Sequence, residues 1–184
     1  SLIFGILKTA IGRLNSKKYA SSGSSEESGG NMSMAKTIVL VRIAFPSLQL
    51  ICTDFLSRFN SAMLHECVDT LAMFGLQQED LNISLAAIGL LWTVSDFVLE
   101  KKQKVGIEEQ KKIDDIWMFL LARLSELCSD DRPEVRNTAN QTLFRTIGMN
   151  GKKFTLESWS ECVWRVLFPL LERVKISSLA DKGP

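Results

Sequence analysis

The chain has 184 residues, of which 46% are apolar and 23% are charged, and its formal net charge at pH 7 is +1. This composition is typical of a folded protein and excludes intrinsic disorder as the description of the whole chain. A net charge so close to zero provides no basic field for wrapping nucleic acid, so nucleic acid is not an expected partner.

The residue types that build most catalytic and metal sites are scarce in this sequence. There is one histidine, His65, and we expect it to face solvent beside Glu66 and Asp69. The four cysteines lie far apart without metal-site spacing, and we interpret them as reduced core thiols of a cytosolic protein. Ser95 and Asp96 have no base beside them and are interpreted as a satisfied polar pair. The sequence therefore predicts a protein that is not an enzyme and holds no metal or cofactor.

The chain begins at Ser1, without a methionine and without a signal-peptide cleavage pattern. We therefore expect it to be a piece of a longer protein. No stretch approaches the roughly 18 uninterrupted apolar residues that a membrane-spanning helix needs, so no such helix is predicted.

Residues 1–15 are predicted to form a short amphipathic helix, because apolar residues recur in them at helical spacing. Lys8, Arg13, Lys17 and Lys18 lie on or beyond the other face. Two interpretations stay open. A basic helix with a broad apolar face can lie on an anionic membrane surface. The same pattern is expected of the last helix of a preceding repeat, which should pack on the helices that follow.

The next segment, residues 16–35, is rich in Ser and Gly and is predicted to be a flexible linker. A helical-repeat domain is then predicted over residues 36–176, followed by a frayed tail at residues 177–184. In the first part of that domain, the sequence predicts a helix that stops at Pro46 and a second helix that Pro46 opens and that runs to Phe59.

The middle of the chain predicts two more helices. Asn60 or Ser61 is expected to cap the first, and Gly75 is expected to end it with a left-handed residue. The second covers residues 80–99 and is apolar nearly all round, so it must be buried between neighbours. Residues 100–112 are dense in charge and are interpreted as a solvated connection.

A further pair of helices is predicted over residues 113–148. Pro133 fits the first turn of the second helix, where its missing N–H would have no partner, and Gly148 is expected to end that helix. Asp130 and Arg136, on either side of Pro133, are interpreted as residues that stabilise the turn by hydrogen bonds.

The last helix is predicted to begin at Thr155 as N-cap, with Phe154 and Trp159 as a hydrophobic staple around it. Pro169 is expected to kink or divide the helix. Trp159 lies on a core stripe, as do Trp92 and Trp117, and we expect these three in the core. Trp164 lies off the stripe of its helix and is the candidate for partner binding, because aromatic residues concentrate at binding hot spots. It is equally placed to meet a following repeat.

The pattern of helix, short turn and helix recurs over residues 60–99 and 113–148. Each pair has about the 40 to 47 residues of a HEAT or armadillo unit. The sequence from Asp130 to Arg136, DDRPEVR, resembles the turn between the two helices of a HEAT repeat. The predicted fold is therefore all-α, a HEAT/armadillo-type α-solenoid of antiparallel helix pairs, whose end faces stay apolar unless they are capped.

Several runs also resemble a particular family: FPSLQLICTDFL at 45–56, DLNISLAAIGLLWTVSD at 80–96, RPEVR at 132–136 and QTLFRTIG at 141–148. They are similar to the region downstream of the Sec7 domain in the large Sec7-type Arf exchange-factor family, and within it to the monensin-sensitivity (Mon) Golgi scaffolds. The resemblance covers about residues 36–175.

That resemblance implies a peripheral protein on the cytosolic face of trans-Golgi and endosome membranes, with a role in vesicle-mediated protein transport. It also implies Dopey-type proteins and Arf-like GTPases as partners of the parent protein. Nothing in the sequence resembles a Sec7 domain, so nucleotide exchange is not assigned to these residues. We expect a non-catalytic scaffold segment, with direct membrane binding through residues 1–18 as the alternative.

Overall fold

A computed structural model describes residues 2, 4–9, 11–12 and 30–180 of the chain. The N-terminal helix α1 comprises the helical residues 2, 4–9 and 11–12. The following helices are α2 Gly30–Asp54, α3 Ser61–Leu76, α4 Leu81–Lys102, α5 Ile107–Leu127, α6 Pro133–Asn150, α7 Leu156–Cys162 and α8 Phe168–Ala180. A π-helical turn, Val163–Leu167, joins α7 to α8, and short 3-10 turns occupy Leu56–Arg58 and Gly151–Lys153. No strand occurs in these ranges, and the predicted all-α class is confirmed.

The helices stack in two layers. Helices α3 and α4 form one hairpin and α5 and α6 form the next, and each helix also packs on its counterpart, α3 on α5 and α4 on α6. The same order extends outward, because α2 packs on α4 and α7 packs on α5. On the other side, Lys8 of α1 reaches Asp69 of α3. Packing of each helix on the next-but-one helix is the arrangement of an α-solenoid, as the repeat pattern predicted.

The core lies between the two layers, and α4 runs through its centre. By length and composition alone, α4 is apolar enough to cross a membrane, with a mean hydropathy of 1.6 over its most apolar window. It packs, however, against α3, α5 and α6, and Ala87, Ile88, Leu91, Val94 and Val98 are fully buried. Its central position explains its composition, and the prediction that this helix is buried between neighbours is confirmed.

The four cysteines are free and buried, as expected of core thiols. Cys52 of α2 and Cys67 of α3 face each other with their sulfur atoms 3.4 Å apart. The hydrogen bond with Cys52 and burial both raise the pKa of the Cys67 thiol. Burial likewise raises the pKa of Cys128 to about 12 and that of Cys162 to about 11, so these thiols stay protonated at neutral pH.

Helix α2 differs from its prediction at both ends and in the middle. It ends at Asp54, before the predicted end at Phe59. It begins at Gly30, inside the predicted linker, and the rest of that linker lies outside the described residues. It also continues through Pro46, which the sequence predicted as a boundary. Pro46 sits on the exposed side of α2, while a buried stripe runs past it without a break. Packing of that stripe outweighs the one backbone hydrogen bond that the proline removes. The stripe comprises Val41, Phe45, Leu48 and Cys52.

Two predicted glycine stops are also wrong. Gly75 lies inside α3, and a Cβ at this position would meet the Leu127 side chain of α5 at 2.9 Å. The residue is therefore small because two helices approach each other there, and Gln77 is the C-cap instead. Gly148 lies inside α6, which ends at Asn150. The charged connection is also shorter than predicted, because α4 runs to Lys102 and α5 begins at Ile107.

The loops of the two hairpins are joined by a buried polar cluster of Gln77, Asp130 and Arg132, which we call the loop latch. Arg132 donates to both carboxylate oxygens of Asp130 at 2.8 and 2.9 Å. It also donates to the backbone oxygens of Gln77 and Gly75 in the neighbouring hairpin, at 2.8 and 3.1 Å. Arg136 donates to the backbone oxygen of Asp130 at 2.8 Å, so the predicted turn-stabilising role of Asp130 and Arg136 is confirmed. Sequence reasoning missed that Arg132 links one repeat to the next.

The last helix of the described residues is longer than predicted. Helix α8 continues to Ala180, into the part predicted as a frayed tail.

Candidate protein-binding surface

The candidate surface lies on the C-terminal helix, which runs from Leu156 to Ala180 through α7, the π-helical turn and α8. It begins as predicted, because the Thr155 hydroxyl accepts a hydrogen bond from the backbone N–H of Ser158 at 3.1 Å. The Phe154 and Trp159 rings lie 4.9 Å apart as the predicted staple. The π-helical turn ends just before Pro169, where the sequence predicted a kink. A proline cannot donate to the preceding turn, and this irregular turn accommodates it.

One side of this helix faces the core through Cys162, Val166 and Leu170, all of which are buried. The other side presents Trp164, Phe168 and Leu171, which are 67%, 44% and 61% exposed. We call these three residues the aromatic stripe. Their spacing of four and three residues places them along one line of the helix. The Trp164 and Phe168 rings contact each other with centroids 4.8 Å apart.

Arg173 fixes the orientation of the stripe. Its guanidinium donates to the backbone oxygen of Ser125 at 2.9 Å, to the Ser125 hydroxyl at 2.8 Å and to the Ser129 hydroxyl at 3.2 Å. These acceptors lie at the C-terminal end of α5, where the helix dipole favours a cation. The stripe is therefore held on the outside of the stack by a buried core face on one side and a charged anchor further along α8.

The other tryptophans do not form a surface with Trp164. Trp117 is 3% exposed, which confirms its predicted core position. Trp92 is half-buried, and the guanidinium of Arg145 lies 4.8 Å from its ring centroid. The core prediction for Trp159 is wrong, since its side chain is 36% exposed. It lies in the first turn of α7 and covers Gly151, whose added Cβ would meet its ring at 2.8 Å.

The alternative membrane-binding residues are placed only in part. Lys8 forms ion pairs with Glu66 at 2.8 Å and with Asp69 at 2.7 Å. Burial alone would lower the pKa of Lys8, but hydrogen bonds and charge from the two carboxylates outweigh it and raise that pKa. Arg13, Lys17 and Lys18 lie outside the described residues.

The apolar side of α1 is turned toward the stack. Phe4, Leu7 and Ile11 are buried, and the Phe4 ring meets Phe59 edge-on at 5.8 Å. Sequence reasoning left Phe4 out of the stripe of α1. This packing is what we expected of a helix that belongs to a preceding repeat.

The polar residues considered for catalysis are dispersed. His65 is exposed, as expected, and stacks on Phe119 with ring centroids 4.0 Å apart. Ser95 is buried, and its hydroxyl has no hydrogen-bond partner among the described residues, so its interpretation as a satisfied pair with Asp96 is wrong. Among the residues that the structure describes, no three His, Cys, Asp or Glu side chains are grouped as they would be to hold a metal ion.

Comparisons with known proteins point to one family. The family model described as the C-terminal region of Mon2 protein matches residues 53–113 and 98–183. The chain is similar to the Mon2 homologue of Drosophila melanogaster, with 43% identity over 154 residues that cover 76% of this chain and 9% of the relative. It is similar to the human Mon2 homologue, with 40% identity over 168 residues that cover 78% of this chain and 10% of the relative.

A shorter match relates the chain to exchange factors. It is 43% identical over 61 residues to the brefeldin A-inhibited guanine nucleotide-exchange protein 2 of Arabidopsis thaliana, covering 33% of this chain and 3% of that protein. The chain thus spans only about a tenth or less of the length of these curated relatives. No solved structure matches it significantly.

Proposed function

The chain belongs to the Mon2 family, and from this premise we propose that it is a non-catalytic scaffold segment that binds protein partners through the aromatic stripe. The match to a guanine nucleotide-exchange protein supports a relation of the family to the Sec7-type exchange factors. A scaffold role in Golgi and endosome traffic is part of the proposal. In the proposal, the segment acts in vesicle-mediated protein transport on the cytosolic face of trans-Golgi and endosome membranes.

The observation that carries this proposal is the exposure of Trp164 beside Phe168 and Leu171 on a helix that is already held by its opposite face. Two aromatic residues and a leucine in line along a helix fit an amphipathic helix of a partner, whose apolar residues would pack between them. Trp is among the residues that contribute most binding energy at protein interfaces. The family resemblance implies Dopey-type proteins as partners, so the proposed occupant is an amphipathic helix of a Dopey-type protein.

Arf-like GTPases are the second proposed class of partner, and they bind in this proposal through the parent protein. The relation to a guanine nucleotide-exchange protein motivates including them in the test. No exchange activity is proposed for the chain itself.

Direct membrane binding through α1 is the alternative function. Leu2 and Ile6 are 82% and 60% exposed and would be the inserting residues. The ion pairs of Lys8 and the burial of Phe4 do not favour it, because they engage a basic group and part of the apolar face within the stack. Insertion of the whole apolar face, with Phe4 included, would need α1 to leave α3.

The two functions are separated by one experiment. The purified chain is used to pull down a Dopey-type protein and Arf-like GTPases in both nucleotide states, and the same sample is tested by liposome flotation. Trp164→Asp is compared with Ile107→Asp, a matched control, because Ile107 is also an exposed apolar residue, 86% accessible, and lies off the stripe.

If the proposal is right, the chain captures the Dopey-type protein and does not float with liposomes. Trp164→Asp abolishes this capture, and Ile107→Asp leaves it intact. Capture that survives Trp164→Asp would contradict the proposed surface. Flotation that disappears on removing residues 1–18, without protein capture, would instead support the membrane alternative.

A further inference from the structure

A small cleft opens between the end of α4, the middle of α5 and the start of α7, on residues that the aromatic stripe does not use. Its volume is about 230 Å³. Its apolar walls are Leu99, Trp117, Met118 and Phe154. The polar groups around it include Lys102, Gln103, Gln110, Asp114, Lys153 and Ser158.

The volume limits what the cleft can hold. Pockets for cofactors and drug-sized ligands have about 300–1,000 Å³, so this cleft suits a smaller group. Because four of its walls are apolar, a single large apolar side chain is the group that it fits best.

The charges at the rim indicate what should flank that side chain. Lys102 is already paired with Asp114, at 2.5 Å. Lys153 is exposed and has no acidic partner among the described residues. The adjacent Lys152 is also exposed and also has no acidic partner there. The ammonium group of Lys153, which lines the cleft without an acidic partner, favours a carboxylate next to the inserted side chain.

A third observation concerns Trp117, which forms part of the wall. Its indole N–H is buried and has no hydrogen-bond partner among the described residues. A buried donor left unpaired costs about 1–3 kcal/mol, and because the Trp117 ring lines the cleft, its indole N–H resonance reports on a group that enters beside it.

We propose that this cleft binds a short acidic segment of another protein, with one large apolar side chain packed in the cleft against the touching rings of Trp117 and Phe154 and a carboxylate paired with Lys153. The site is separate from the aromatic stripe, so it extends the proposed function to a second contact. If binding at the cleft is disproved, the proposal that the aromatic stripe binds a partner is not affected, because the two sites are tested separately.

The test is a titration of the full chain, labelled with ¹⁵N at tryptophan, and followed through the indole N–H resonances. The chain has four tryptophans, and Trp117→Phe identifies the resonance of Trp117. The probe is an acetylated nonapeptide with one central Phe flanked on both sides by Asp and Glu. Two control peptides replace the Phe by Ala or the acids by Lys.

Two variants challenge the site directly. Ser158→Phe fills the cleft while keeping the backbone N–H that Thr155 caps. Lys153→Glu reverses the rim charge, and Lys175→Glu makes the same change at an exposed residue of α8 that does not line the cleft. Thermal unfolding of each variant verifies that it is folded.

We expect the acidic Phe peptide to shift the Trp117 resonance in a saturable way. Lys153→Glu should weaken binding at least about 10-fold, corresponding to about 1.4 kcal/mol, and Ser158→Phe should abolish it. Lys175→Glu should change it less than about 2-fold. The proposal is overturned if the resonance does not move, if the Ala peptide binds as well as the Phe peptide, or if binding is unaffected in Lys153→Glu and Ser158→Phe.

Discussion

Replacing Arg132 by Met removes the hub of the loop latch while keeping a side chain of similar length. Arg132 holds the Asp130 carboxylate and two backbone oxygens of the preceding hairpin at the same time. The Asp130 side chain is only 2% exposed and that of Arg132 is 18% exposed. Without the guanidinium, Asp130 becomes a buried carboxylate that no cation pairs with, since Arg136 contacts only its backbone oxygen.

The expected loss follows from these exposures. Removing one partner of a buried ion pair costs about 3–5 kcal/mol, and the residual exposure of Arg132 places this variant near 3 kcal/mol. For a chain of this size, about 1 kcal/mol lowers the melting temperature by 2–4 °C, so Tm should fall by about 6–12 °C. Urea unfolding followed by circular dichroism at pH 7 measures the free energy of unfolding, and a thermal scan of the same samples measures Tm.

The pH dependence gives a second readout. Burial by itself raises the pKa of Asp130, but hydrogen bonds and charge from Arg132 outweigh it and hold that pKa below its usual range. A carboxyl whose pKa is depressed stabilises the folded state above its unfolded pKa of about 3.9, and this contribution is lost as pH falls through the folded value. In Arg132→Met the guanidinium no longer opposes burial, and only the backbone N–H at position 132 and the Gln78 side chain still lower the pKa of Asp130. That pKa therefore rises, and acid protonates the carboxyl at less cost. The difference in stability between the two proteins should therefore shrink from pH 7 toward pH 4.

A double variant tests the cause of the loss. Adding Asp130→Asn removes the buried charge but keeps an oxygen for the backbone N–H of Arg132, or of Met in its place, which the Asp130 carboxylate accepts at 2.9 Å. We expect it to restore at least about 1 kcal/mol to Arg132→Met. A loss below about 1 kcal/mol in the single variant, or no recovery in the double variant, would refute the role assigned to the latch.

Three further predictions concern packing and can be measured by thermal and urea unfolding. Gly75→Ala should destabilise the protein by about 1 kcal/mol, because its Cβ meets Leu127, whereas Gly89→Ala, with open space around it, should stabilise it by about 0.5 kcal/mol; equal effects would contradict the close approach. Phe4→Ala should cost about 3 kcal/mol if α1 belongs to the stack, and an unchanged Tm would show that α1 is not packed there. Arg173→Met should cost about 1–2 kcal/mol and increase amide hydrogen exchange in α8, and unchanged exchange would show that α8 does not depend on this anchor.

Much of the architecture could be predicted because local signals and packing agree. Thr155 and Phe154 lie at the positions of a cap and a staple, and the structure uses both. Pro133 begins α6 as its position indicated. The hairpin repeat also predicted the stack, since a two-helix unit cannot bury both faces by itself.

The errors arise where tertiary contacts decide between local alternatives. Pro46 and Gly75 belong to residue types that are typical of helix ends, yet both lie inside helices. The buried stripe of α2 keeps the helix continuous at Pro46, and the approach of α5 explains Gly75. Neither neighbour is visible in a local window of sequence.

The candidate site was predicted as the single residue Trp164, and the surface proposed from the structure comprises three residues. The position of Trp164 off the core stripe was a sufficient signal for its exposure. Its contact with Phe168 was not predicted, although the spacing of four residues and an aromatic pair could have indicated it. The role of Arg132 between repeats could not be read from sequence, because its acceptors lie more than 50 positions away, at Gln77 and Gly75.

The most direct test of the proposed scaffold function is the dissociation constant of the full chain for a purified Dopey-type protein, measured by isothermal titration with and without Trp164→Ala. A hot-spot tryptophan contributes about 2 kcal/mol or more, so we expect the dissociation constant to rise about 30-fold or more while Tm stays unchanged. A measurable affinity that Trp164→Ala leaves within about 2-fold would contradict the claim that the aromatic stripe binds the partner.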